Sequence, residues 1–176
     1  MPPKRPRPPL DPDSLRDLAL RYVGRYATSR AKLLAYLRGK VRERGWADDR
    51  PADPEALADR FAALGYIDDA AYAAMKGAAL TRRGYGPRRV DDSLRAAGIA
   101  ESDRGDAAGQ AREDSWAAAD RFARRKRIGP YAAQRPDRVQ RDRMIAAFLR
   151  AGHAMDVARL WVDALPGEPP PEPEQG

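Results

Sequence analysis

The chain has 176 residues, a formal charge of +7 from 33 Lys and Arg against 26 Asp and Glu, and no Cys. That length holds one sizeable core or several small helical units in a row, and the lack of Cys excludes a disulfide framework, a thiolate metal site and a thiol nucleophile. The basic surplus favours an anionic partner, with nucleic acid or a nucleic-acid-bound protein ahead of an acidic protein groove or a membrane face.

Pro-rich segments frame the chain. Residues 1–10 read as a basic tail and 166–176 as an acidic one, both expected to be disordered because Pro and charge leave little apolar surface to bury. Lys4, Arg5 and Arg7 would add weak attraction to nucleic acid. No run approaches the ~20 apolar residues a membrane span requires, so a cytoplasmic protein without membrane contact is expected.

Between the tails, apolar spacing and caps predict helices throughout. Apolar residues make up 43% and aromatics only 7% of the chain, and Ala supplies much of the difference, which favours helices over strands. Leu15, Leu18, Ala19, Tyr22 and Tyr26 recur at helical steps, predicting a helix over 13–25 with one buried face. Thr28 and Ser29 offer a cap for a basic amphipathic helix over 30–44, in which Leu33, Leu34, Leu37 and Val41 share a side. Asp53 and Pro54 open the next, carrying Leu57, Phe61 and Leu64 to a stop at Gly65. Asp68 then caps a helix with Tyr72, Met75 and Ala79 that ends near Gly84.

Gly86 and Pro87 open a short helix whose Val90 and Leu94 face inward and which stops at Gly98. The stretch 101–111 is poorly specified: Gly105 and Gly109 interrupt it and large apolar residues are absent, so a frayed or incomplete helix is expected. Trp116, Ala119 and Ala123 mark a helix over 114–127. After a loop containing Gly129, Pro130 and Pro136, Asp137 caps a helix with Met144, Ile145, Phe148 and Leu149. Val157, Leu160, Trp161 and Ala164 define the last.

These segments group as three sets of three, over about 13–65, 66–111 and 112–165 within a helical domain spanning 11–165. A Leu-Arg pair near the end of each middle helix, at Leu37-Arg38, Leu94-Arg95 and Leu149-Arg150, recurs at nearly equal intervals and supports three tandem three-helix repeats in an all-α chain. The three Leu are expected to hold equivalent buried positions.

No catalytic constellation emerges. The lone His153 follows a helix-ending Gly152 and reads as a turn or packing residue, and no phosphate-loop or dinucleotide glycine pattern occurs. The adjacent carboxylates Asp48-Asp49, Asp68-Asp69 and Asp91-Asp92 point apart on a helix and suit capping or solvation better than acid/base chemistry or metal binding. No enzyme, metal or cofactor is expected.

Two stretches carry a family resemblance. Leu64-Gly65-Tyr66-Ile67-Asp68-Asp69-Ala70-Ala71-Tyr72-Ala73 is followed by Arg82-Arg83-Gly84-Tyr85-Gly86-Pro87-Arg88-Arg89-Val90, which leads to Leu94 and Ala97-Gly98-Ile99. In order and spacing they resemble the RecX family, over roughly 15–165. The long segment 39–51 and the weak 101–111 stretch depart from the pattern. The resemblance implies an elongated, curved array of repeats that docks on RecA and its single-stranded DNA filament, limits recombinase, ATPase and coprotease activity, and works as a monomer without a cofactor, with room for weak direct DNA binding in addition.

For binding, Arg82, Arg83, Arg88 and Arg89 come first, because Gly84, Gly86 and Pro87 gather them around a helix N-terminus. Arg95, Arg124, Arg125 and Lys126 follow, on or beside helices whose opposite faces are apolar. Each Arg taken singly fits a solvated face equally well, so the cluster is the hypothesis. A helix-turn-helix-like DNA-binding transcription regulator is the rival reading, since three short helices with a tight turn mimic that motif. A protein-only scaffold would show no salt-sensitive DNA association.

Overall fold

The computed structural model describes residues 7–173. The helices among the described residues are α1 (Pro12–Arg25), α2 (Arg30–Arg44), α3 (Pro54–Ala63), α4 (Asp69–Arg82), α5 (Pro87–Ala96), α6 (Glu101–Glu113), α7 (Ser115–Lys126), α8 (Arg138–Arg150) and α9 (Met155–Asp163), with a 3-10 turn at Gly129–Tyr131. The all-α reading holds. Extended pairing among the described residues is limited to an isolated parallel bridge between Leu10 and Trp46, and no helix there is long and apolar enough to cross a membrane. Lys4 and Arg5 lie outside the described residues, as does the end of the acidic tail from 174 onward.

The caps read from sequence are in place. The Ser29 hydroxyl accepts from Lys32 N at 3.3 Å and donates to the Ala97 carbonyl at 2.8 Å. Carboxylates of Asp53, Asp68 and Asp137 accept from backbone N–H groups three residues on, at 2.9, 2.8 and 2.8 Å. Each satisfies a donor that the first helical turn otherwise leaves unpaired. Asp11 and Ser14 add a reciprocal capping box at α1, which begins at Pro12, one residue before the start that apolar spacing predicts.

The chain forms two compact units: residues up to 72 together with 97–100, and 73–96 together with 101 onward. In the first, Leu15, Leu33, Leu37, Phe61 and Ile67 form a core that also holds Leu10 at 0% exposure. Composition places Leu10 in the disordered basic tail. It is instead tied by Leu10 N to Gly45 O at 3.0 Å and Ala47 N to Leu10 O at 2.9 Å. The long 39–51 segment thereby finds its role: α2 runs on to Arg44, and the following loop, braced by Trp46 Nε1 donating to Arg50 O at 2.6 Å, receives Leu10.

In the second unit α6 is complete, against the fraying expected from its glycines. Its small residues are what let it pack: Ala107 and Ala111 are buried, and a Cβ on Gly77 of α4 would lie 3.5 Å from Ala107 and 3.4 Å from Val90. Glu101 and Asp103 in the first turn complement the helix dipole, and Arg104 meets Asp91 of α5 at 3.0 Å. Backbone bonds of 2.9 Å from Asp114 N to Gln110 O and from Ala118 N to Asp114 O carry the chain into α7 with almost no interruption.

The other core surrounds Phe122, Phe148 and Trp161. Here the Leu-Arg register is off by one residue: Phe148 is fully buried and Leu149 only half-buried, while Leu37 and Leu94 are both at 0% exposure. Counting back from the helix-ending glycines gives the reason, because Phe148 precedes Gly152 by the same four residues that separate Leu94 from Gly98. Met75 and Leu160, placed on inner faces by their spacing, are exposed. The start of the acidic tail is held by Gly167 N donating to Pro130 O at 2.9 Å.

Candidate functional site

All eight predicted binding residues belong to the second unit. The C-termini of α4 and α7 meet there. After Arg82 the chain reverses, with Gly84 N bonded to Thr81 O at 2.9 Å and Tyr85 N to Leu80 O at 3.2 Å, a paired bond pattern that ends helices by satisfying their last carbonyls. The turn lies directly on α7, because a Cβ at Gly84 would stand 2.8 Å from Phe122 N and 3.1 Å from Ala118 O. Arg125 of α7 reaches the Arg83 carbonyl and holds its guanidinium 5.8 Å from the Tyr85 ring centroid and 5.4 Å from that of Phe122.

Arg82 and Arg83 are thereby brought together with Arg125 and Lys126, all exposed. Cations are at home beside helix C-termini, where the unpaired carbonyls carry partial negative charge.

The first turn of α5 is different. Arg88 and Arg89 are exposed at its N-terminal end and no acidic residue accompanies them there. Like-signed charge at the positive end of a helix dipole costs up to ~1 kcal/mol per residue. Two such residues raise a local positive potential that the helix itself gains nothing from.

Arg95 and Arg124 sit apart from this arrangement. Arg95 meets Asp91 at 2.7 Å, and Asp91 also takes Arg104; both arginines line a cavity of about 530 Å³ with Arg88, Arg112 and Glu101. Arg124 donates to the Tyr131 hydroxyl at 3.0 Å, lies 4.6 Å from that ring's centroid and is 3.8 Å from Asp120. Their charges are largely compensated.

His153 is a packing residue, as its sequence context suggested. It is 1% exposed, between Phe122 and Phe148, with Nε2 3.0 Å from the Gly84 carbonyl. A carbonyl can only accept, so Nε2 carries the proton. Burial pushes the imidazole pKa down, the Gly84 bond partly offsets this, and nearby Arg125 lowers it further. The paired carboxylates are structural too: Asp48 accepts from Arg50 N, Asp68 caps α4, and Asp69 accepts from Arg30 N. No group of three or more His, Cys, Asp or Glu among the described residues could hold a metal ion.

Sequence reasoning missed a second basic surface, in the first unit. Spacing puts Tyr22 and Tyr26 on the buried face of α1, yet with Tyr36 they line an open groove among Arg21, Arg25, Lys40 and Arg44. The Arg-Tyr pairs at 21–22 and 25–26, one helical turn apart, were the available signal.

Fold and surface thus define an all-helical protein whose cations collect at helix ends and along one groove. No model of a known protein family matches the chain. A regulatory protein RecX of Myxococcus xanthus (strain DK1622) is 33% identical to it over 174 aligned residues, covering 93% of this chain and 91% of the relative. A regulatory protein RecX of Thermus thermophilus is 40% identical over 83 residues, about half of each chain. The chain belongs to the RecX family of regulatory proteins. Two crystal structures share the fold: one of regulatory protein RecX, with a TM-score of 0.66 at 23% identity over 84% of this chain and 70% of the other, and one of RecX from Lactobacillus salivarius, at 0.58, 18%, 83% and 90%.

Proposed function

We propose that the chain binds RecA and its nucleoprotein filament on single-stranded DNA, and restrains recombinase, ATPase and coprotease activity during DNA repair by homologous recombination and the SOS response. The observation that carries this reading is the cluster at the adjoining ends of α4 and α7, where Arg82, Arg83, Arg125 and Lys126 stand next to Arg88 and Arg89, which begin α5 with no acidic residue in its first turn. Guanidinium groups meet carboxylates and phosphates bidentately, which suits them to an acidic protein groove and to DNA within it. The protein acts by occupancy, as a cytoplasmic monomer that turns nothing over and needs no cofactor.

The test is to add purified chain to the cognate RecA on single-stranded DNA and follow ATP hydrolysis and strand exchange. Both should fall as the chain approaches equivalence with filament sites. Unchanged rates at a several-fold excess contradict the proposal.

A further inference from the structure

The groove of the first unit is built from different materials than the arginine cluster. α1 and α2, joined through the short 26–29 connection, bring the Tyr22 and Tyr36 rings into a stack at 4.3 Å and 18°, with Tyr26 tilted against Tyr22 at 5.4 Å. Tyr26 is 50% exposed. Around the rings stand Arg21 and Arg25 of α1, Lys40 and Arg44 of α2, and Arg7 of the N-terminal segment, bounding about 910 Å³ of open space. The Arg25 guanidinium lies 5.5 Å from the Tyr26 centroid and the Lys40 ammonium 5.8 Å from that of Tyr36.

Charge on α2 is divided between its two sides. Arg30 and Arg38, facing α3, are paired with Glu55 and Asp59. On the groove side no carboxylate belongs to the lining among the described residues. Arg44 is fixed there by the neutral Pro8 carbonyl at 2.9 and 2.7 Å, which orients the guanidinium without cancelling its charge. Glu43, beside the lining, pairs with Lys40 at 2.5 Å and lies close enough to Arg7 and Arg44 for its carboxyl to be held below its ordinary range by all three cations. This leaves Arg21 and Arg25 as the groove cations without an ion pair among the described residues.

We infer that this groove binds single-stranded nucleic acid, with bases stacking on Tyr26 and Tyr36 and phosphates meeting Arg21, Arg25 and Arg44. Rings and cations interleaved along one cleft are what unpaired bases and their backbone require: every base has a π-face, and stacking on aromatic side chains tolerates any sequence. A duplex hides those faces, and an acidic peptide would use the cations but leave the tyrosines idle. The inference concerns a surface other than the arginine cluster, and its test contains no RecA, so its failure leaves the filament proposal standing.

Binding of the full chain to a short labelled oligothymidylate is measured by fluorescence anisotropy, beside a duplex of equal length and poly-glutamate. The single strand should bind more tightly than the duplex. Tyr26→Ala should weaken it by ~5-fold or more, as loss of a base–aromatic stack does, while Tyr26→Phe keeps it. Arg21→Ser with Arg25→Ser should reduce the dependence of log affinity on log salt by ~0.7 per cation removed. Tyr26 is half in solvent, so helicity should be unchanged in these variants, and circular dichroism records it. Equal affinity for single strand and duplex, a Tyr26→Ala protein that binds like wild type, or poly-glutamate binding as tightly as the oligonucleotide would each overturn the inference.

Discussion

His153 sits where two glycine-bearing turns meet a pair of phenylalanines, and its ring does for this core what a hydrophobe with one hydrogen-bond donor would do. The single His of the chain caps the Gly84 carbonyl and fills the space beside Phe148. In the unfolded chain it titrates near 6.5, and in the folded chain burial holds it lower. The folded state therefore binds this proton less well than the unfolded state. Its contribution is complete above about pH 6.5 and is lost as pH falls through the folded pKa. The other lowered groups, Asp11, Asp59 and Asp163 from 3.8 and Glu43 from 4.5, act at more acid pH. Urea midpoints measured from ~pH 7.5 to ~pH 5 should fall for the wild type and stay much flatter for His153→Phe, which has nothing to protonate. Parallel curves would show that His153 does not couple folding to pH.

At the scale of elements, the Gly84-Tyr85-Gly86-Pro87 stretch is first a packing device. Gly86 N donates to Ala151 O at 2.8 Å and Arg88 N to Gly152 O at 3.2 Å, so the turn before α5 lies backbone to backbone on the turn after α8. A Cβ on Gly86 would come within 2.4 Å of Gly152 O; one on Gly152, whose φ is +90°, within 2.3 Å of Arg89 N. Overpacking a filled site costs ~1–3 kcal/mol, and here backbone rather than a movable side chain is in the way. Gly86→Ala should lower stability by at least that much in chemical denaturation, and Gly152→Ala by more because its left-handed conformation is also strained. A loss under ~0.5 kcal/mol, the range of ordinary surface changes, would mean the turns are not in contact.

The same contact shows what sequence could tell and what it could not. Caps at Ser29, Asp53, Asp68 and Asp137 were legible because one side chain and one local backbone donor decide them. Core faces were legible where large residues repeat, as at Leu33 and Leu37. α6 was not, because helices that approach through Gly77 and Ala107 leave no large apolar residue to mark the face. Nor was Leu10, whose burial depends on a loop thirty-odd residues on, reached at Gly45–Ala47. Of the binding residues, the 82–89 cluster could be read because Arg, Gly and Pro are contiguous there. The compensation of Arg95 by Asp91 and of Arg124 by Asp120 lay in i, i+4 spacing that a reading by basic clusters passes over, whereas the contact of Arg124 with Tyr131 depended on the turn after α7. The tyrosine groove was hidden by periodicity, which assigns Tyr22 and Tyr26 to a face without saying how much of each ring that face covers.

For the molecule as a whole, net charge attracts anionic partners in general, and placement distinguishes among them. Where carboxylates accompany the arginines, as on the α3 side of α2 and around Asp91, the surface is mixed and self-paired. The first turn of α5 and the lining of the α1–α2 groove hold no carboxylate, and there exposed cations remain to meet a partner. On this account the filament is met by the first of these regions, and inhibition depends on exposed cations whose removal leaves the fold intact. Inhibition of RecA-catalysed ATP hydrolysis on single-stranded DNA by the wild type, and by a variant with Arg82, Arg83, Arg88 and Arg89 all replaced by Ala, measures this directly. Each exposed replacement changes stability by no more than ~0.5 kcal/mol, so helicity should be retained while inhibition weakens by ~10-fold or more; added salt, which screens exposed contacts over ~10 Å at 0.1 M, should weaken the wild type more than the variant. A quadruple variant that inhibits as well as the wild type at both low and moderate salt would contradict the account.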